Sequence, residues 1–156
     1  MGQVQLHSLS ATVIEYARTL IARHEGYSEK PYKDTEGVLT IGIGRNLEDR
    51  GLSADEVMYL FRSDLRIAAQ DAAKLFHNIS ALDPLRQAVL LDMAFNLGYN
   101  RLAGFEKFRA AVALRDFDLA ADEMLDSKWA RQVGKEPDQR AGRLARIMRT
   151  GRLSEE

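Results

Sequence analysis

The sequence predicts an α+β fold that is mainly α, with one small β-hairpin. Three observations carry this. Apolar residues recur at helical spacing through most of the 156 residues. Helix-start signatures stand at 53–56 and at 83–84. One short segment, 38–44, alternates apolar and small residues with period two instead.

Taken in order, the first helix spans about 10–24, with Val13, Ala17, Leu20 and Ile21 on one face. Gly26 supplies a left-handed stop, so Glu25 sits at the end of the last turn. The stretch Asp34-Thr35-Glu36-Gly37 suits a type I turn, with Asp at its first position and Gly at its fourth. Leu39, Ile41 and Ile43 then form the greasy face of a strand, and the face around Thr40 is nearly bare. A hairpin closing at 34–37 puts Asp34 and Thr40 on the same face. Ser53-Ala54-Asp55-Glu56 is a capping box that opens a helix to about residue 75. Asp83-Pro84 is an N-cap followed by proline at the first helical position. It opens an apolar helix that ends before Gly98. Shorter helices are expected at 104–114, 117–126 and 137–149.

Composition narrows the function classes. Hydrophobic residues make up 46 % and charged residues 29 %, a globular profile. The formal net charge of -1 gives no global field for nucleic acid, and no nucleic-acid recognition motif is present. Positive charge gathers late: eight basic residues lie between 128 and 152. Among them Arg140, Arg143, Arg146, Arg149 and Arg152 recur every three residues and spiral around a helix without forming one face. They read either as a solvated helix end or as a contact for anionic wall polymer or phospholipid. There is no cysteine, which removes disulfides and thiol catalysis. His7, His24 and His77 share no metal-ligand spacing, so no metal and no cofactor is expected. Gly42-Ile43-Gly44 lacks the rest of a dinucleotide or phosphate-loop fingerprint. No stretch has transmembrane length, and the first residues lack a basic segment followed by an apolar run. Synthesis in a cytoplasm without a signal peptide is the expectation.

Hydrolysing a glycoside needs a proton donor for the leaving oxygen and a second carboxylate to activate water or stabilise the sugar cation. Glu25 suits the donor, because a helix C-terminus carries partial negative charge and favours a protonated carboxyl. Asp34, beside a turn, is better solvated and more easily ionised. Two carboxyls in unlike environments is the pattern that separates acid from base. Thr40 is placed to hydrogen-bond a water held by Asp34. Any chain with 23 acidic residues offers many such pairs, and a solvated surface charge is the plain alternative for Glu25.

The residues that carry this chemistry form a block. Glu25-Gly26, then Tyr32-Lys33-Asp34-Thr35-Glu36-Gly37, then Thr40-Ile41-Gly42-Ile43-Gly44 resemble the active-site segment of the phage-type (T-even-like) lysozymes, a glycoside hydrolase family. The family spacing is Glu, eight residues, Asp, five residues, Thr, which Glu25, Asp34 and Thr40 match. Ala94-Phe95-Asn96-Leu97-Gly98 resembles the family's cleft helix, and Ala103-Gly104-Phe105 the turn after it. Ser127-Lys128-Trp129, followed by Pro137, Arg140 and Arg143, resembles the end of the family domain.

The resemblance runs over about 17–151, leaving 1–16 as an N-terminal extension that continues into the first helix. It implies a lysozyme-like two-lobed fold. The small lobe would cover about 25–52, a long connecting helix about 53–75, and a helical lobe about 76–151, packed with the first helix. It implies a muramidase that cuts the β-1,4 bond between N-acetylmuramic acid and N-acetylglucosamine, with inversion, acting on bacterial peptidoglycan as a monomer. Glu25 would be the acid, and Asp34 with Thr40 would position water. Phe95 and Asn96 would line the cleft, with ordinary core as the alternative for Phe95. Arg140 would hold the Glu25 carboxylate. Release to the wall would be of holin type, for host cell lysis. A wall-binding module that kept the fold is the competing class, and the intact Glu25, Asp34 and Thr40 set argues against it.

The sequence departs from the family where a histidine usually follows the Gly-Ile-Gly run. Here that position is Arg45, expected to pair with Asp64 in place of the histidine–aspartate pair. The segment 45–53 is also short, so the small lobe should be reduced. Trp129 reads as core rather than as a sugar platform.

Overall fold

The computed structural model describes residues 9–153, so His7 and the first half of the N-terminal extension lie outside the described residues. It divides into two compact units, Met1–Leu60 and Phe61–Glu156.

In the first unit, α1 (Ala11–Glu25) starts at Ser10, whose hydroxyl accepts from the Val13 amide. It stops at Gly26, which takes φ +79° and returns its amide to the Ala22 carbonyl. The helix is held by these local signals and buries no residue; Val13, Leu20 and Ile21 all stay about half exposed. A three-stranded antiparallel sheet follows: β1 (Ser28–Lys33), β2 (Leu39–Gly42) and β3 (Arg45–Asn46), in that order. The β1–β2 turn closes at 34–37 as its residues dictate. Gly37 donates to the Asp34 carbonyl and takes φ +80°.

The expected strand over 38–44 is corrected. Gly42 and Gly44 take φ +68° and +71°, which side chains rarely allow, so the strand ends at Gly42 and the chain turns through Ile43 and Gly44. It brings Arg45 opposite Ile41 and Asn46 opposite Thr40. Thr40 is 4 % exposed, the one buried residue among the described residues of this unit. The bare face expected around it is therefore covered.

Helix α2 (Ala54–Leu75) opens with a complete capping box. The Glu56 amide donates to the Ser53 hydroxyl at 3.2 Å, and the Ser53 amide donates to a Glu56 carboxylate oxygen at 2.8 Å.

The second unit holds the core. Helix α3 (Pro84–Ala103) starts at Asp83, which accepts from the Arg86 amide. Gly98 leaves helical geometry (φ 74°, ψ 169°), as the sequence suggests, but the chain resumes helix to Ala103. Around it stand α4 (Glu106–Ala113), α5 (Phe117–Leu125), α6 (Lys128–Val133) and α7 (Arg140–Thr150). Helix α6 is an addition to the expected set; Ser127 caps it by accepting from the Ala130 amide.

Leu90, Met93, Leu102, Phe108, Met124 and Met148 are fully buried and interlock α3, α4, α5 and α7. Each such side chain stabilises the fold by about 1.5–3 kcal/mol. Trp129 joins this core, as expected, at 2 % exposure. Helix α7 lies so close to the preceding loop that a side chain at Gly142 would collide with the Lys135 and Glu136 carbonyls. No helix among the described residues is long and apolar enough to cross a membrane.

Candidate active site

Glu25 is the last residue of α1 and is exposed. Its carboxyl lies over the Gly42–Gly44 turn: a Cβ placed on Gly44 would be 2.8 Å from Glu25 Oε2 and 3.0 Å from its carboxyl carbon. A side chain at 44 would press on the end of the Glu25 side chain, and glycine adopts that backbone without strain.

Asp34 is fixed by the turn it starts. One carboxylate oxygen, Oδ1, accepts from the Glu36 amide at 2.8 Å and the Val38 amide at 2.9 Å. This is the side-chain turn that aspartate favours. Among the described residues Oδ2 has no protein partner. The Asp34 amide donates to the Val38 carbonyl, continuing the β1–β2 ladder in which Tyr32 faces Thr40. In that register Asp34, Tyr32 and Thr40 share one face of the sheet, as the hairpin argument requires. The Thr40 hydroxyl donates to the Val38 carbonyl at 3.0 Å, so its oxygen is left to accept.

Arg45 faces the other side of the sheet. Its Nη1 and Nη2 donate to the two carboxylate oxygens of Glu56, with Nη1 at 2.8 Å, and Nη1 also reaches the Gly51 carbonyl. This is a two-pronged guanidinium–carboxylate fork. Arg45 and the Ser53 amide pull the Glu56 carboxyl down from 4.5 to about 2.

In the second unit, Phe95 is 42 % exposed and stands edge-on to Phe61, ring centres 5.8 Å apart. It lines a shallow groove of about 270 Å³ with Asp64, Ile67, Asp71 and Gly98. Asn96 Oδ1 accepts from the indole N–H of Trp129 at 2.7 Å, which fixes the amide orientation. Arg140, at the start of α7, donates from Nε to Asp92 Oδ1 at 2.9 Å, and its Nη2 lies 2.8 Å from the same oxygen in an ion pair.

The family model described as phage lysozyme matches residues 22–146, which include all of these positions. The chain belongs to the phage lysozyme family. It is 24 % identical to a probable T4-type lysozyme 1 of Dictyostelium discoideum, over 91 % of this chain and 98 % of that protein. It is 29 % identical to the endolysin of Salmonella phage P22, over 77 % of this chain and 84 % of that one. It is also 28 % identical to the pre-baseplate central spike protein Gp5 of Enterobacteria phage T4, over 86 % of this chain and 28 % of that longer protein.

Two charged side chains that the sequence singled out have partners within their own units. Arg45 pairs with Glu56, because the acid three residues into the α2 capping box stands within reach of both prongs. Asp64 is exposed, on the wall of the Phe95 groove. Within the second unit, Arg140 pairs with Asp92; α3 and α7 pack together and bring opposite charges into contact.

Sequence reasoning did not single out Glu56 or Asp92 as the partners of Arg45 and Arg140. A capping-box acid beside a basic strand was the one available signal, and it was absorbed by the cap. The late arginines are largely engaged with protein groups. Arg149 bonds Asp118 and Asp122, Arg143 bonds the Asp138 carbonyl, and Arg146 the Leu153 carbonyl. This favours the solvated helix end over a wall-polymer contact.

Proposed function

We propose that this chain is a muramidase. It would hydrolyse the β-1,4 bond between N-acetylmuramic acid and N-acetylglucosamine in bacterial peptidoglycan. Glu25 protonates the leaving oxygen. Asp34 and Thr40 hold a water for attack on the opposite face of the sugar, which inverts the anomeric centre. Phe95 and Asn96 contact the sugar chain, and no cofactor is required. The biological role is host cell lysis after holin-type release.

One observation carries this reading: the unlike surroundings of Glu25 and Asp34. Glu25 projects from a helix end onto a glycine turn. Asp34 has one oxygen tied down by two amides and the other open, on the sheet face it shares with Thr40. The two amides fix the orientation of the Asp34 carboxylate and leave Oδ2 to accept from a water. A pure binding module has no need of an aspartate so constrained.

The deciding experiment is clearing of a turbid wall suspension by the wild-type chain and by Glu25→Gln. Clearing by the wild type and none by the variant is expected. Equal clearing by both would sink the assignment, and binding without clearing by either would favour a wall-binding module.

A further inference from the structure

We propose that Glu56 is a positioning residue for the reaction: by gripping Arg45 it fixes the glycine turn that backs the Glu25 carboxyl. The inference rests on the reading of Glu25 as proton donor.

The chain of contacts is short. Glu25 lies on Gly44, close enough that one added carbon would meet its carboxyl oxygen at 2.8 Å. Gly44 is bonded to Arg45, with Cα atoms about 3.8 Å apart across one peptide. Arg45 donates through both Nη groups to Glu56 and through Nη1 to the Gly51 carbonyl. Glu56 is anchored in turn, because Oε2 accepts the Ser53 amide at the start of α2. The turn itself has two positive-φ glycines, which bring no side chain to pack it in place. Its outgoing end is therefore held by the fork.

A fork resists rotation as well as separation, because two parallel bonds fix a plane. That is the property needed to hold a wall under a proton donor. A lone capping glutamate would need only the Ser53 amide, and a lone surface arginine would need no partner. The geometry also separates two jobs of Glu56. Glu56→Gln keeps an oxygen for the Ser53 amide but loses the ionic fork. Ser53→Ala loses the cap hydroxyl but keeps the fork.

The test measures initial rates on a purified peptidoglycan suspension over a range of wall concentrations. It uses the full chain and its Glu25→Gln, Glu56→Gln, Arg45→Gln, Ser53→Ala and Arg45→Gln/Glu56→Gln variants, each with a thermal melt. Glu56→Gln and Arg45→Gln are each expected to lower kcat roughly ten- to a hundredfold while KM stays within about twofold. The double variant should be no worse than the poorer single variant, since both remove one contact. Ser53→Ala should lower Tm and keep kcat. Arg45→Lys keeps the charge without the fork; it should recover only part of kcat, and it covers the case in which Arg45→Gln does not fold. If Glu25→Gln is dead and Glu56→Gln keeps its kcat, the positioning role alone is overturned. Matched losses of kcat in Ser53→Ala and Glu56→Gln also overturn it, by reducing Glu56 to a helix cap. Full clearing by Glu25→Gln, or none by the wild type, removes the parent reading and this one with it.

Discussion

Glu56 meets both prongs of the Arg45 guanidinium while one of its oxygens also accepts the Ser53 amide. One carboxylate thus joins the end of the sheet to the start of α2.

This arrangement has a pH signature. Arg45 first, and then the Ser53 amide, hold the Glu56 carboxyl at about 2, below its ordinary 4.5. A lowered folded value means that the unfolded chain binds the proton first as pH falls. The stabilisation is therefore complete above 4.5 and drains away between 4.5 and about 2. Glu56→Gln has no such group. The Tm gap between wild type and Glu56→Gln should be constant above about pH 5 and close as the pH approaches 2, as followed by circular-dichroism melts. A gap unchanged down to pH 2 would contradict the fork.

Gly44→Ala should lose activity for two reasons at one position. The backbone sits at φ +71°, which costs a residue with a Cβ about 1–2 kcal/mol. The new methyl would also press on the Glu25 carboxyl. Wall clearing is expected to fall by more than about tenfold, since small displacements of a catalytic group are costly. Unfolding in urea should show only the modest backbone cost. Retained clearing would mean that Glu25 works from elsewhere.

Asn96→Leu should destabilise the second unit. It strips the indole N–H of Trp129, which is 2 % exposed, of its 2.7 Å acceptor. An unpaired buried donor costs about 1–3 kcal/mol. The urea midpoint should fall, and the tryptophan emission of the folded state should shift.

Arg86→Met should cost about 3 kcal/mol in urea unfolding, more than most surface substitutions. Arg86 donates to the Met148 and Arg149 carbonyls at the end of α7, pairs with Asp83, and lies 3.7 Å from the centre of the Phe117 ring. Arg86→Lys should fall between the two, because an ammonium cannot span both carbonyls.

Local chemistry was legible in the sequence where a few adjacent residues decide the outcome. The capping box at Ser53, the Asp83-Pro84 start and the 34–37 turn all formed from neighbours along the chain, and the turn set the register that puts Asp34 and Thr40 on one face. Partner choice was not legible. Arg45 selects Glu56, and Arg140 selects Asp92 across 48 positions. Those choices follow from which elements pack, and periodicity says nothing about that. The Gly-Ile-Gly run misled for a related reason. Alternation fits a strand, but two glycines also permit the positive φ that turns the chain, and only the pairing of Arg45 with Ile41 decides between them.

The contact at Gly142 also governs how this sequence can drift. Its neighbours there are the carbonyls of Lys135 and Glu136, backbone atoms that every amino acid at 135 or 136 would present in the same place. Substitutions in that loop therefore leave the constraint untouched, while any side chain at 142 must displace the loop or the helix. The loop can diversify its surface without limit from α7. The helix cannot change at that one point, and the start of α7, where Arg140 stands, is tied to a position that mutation is not free to explore.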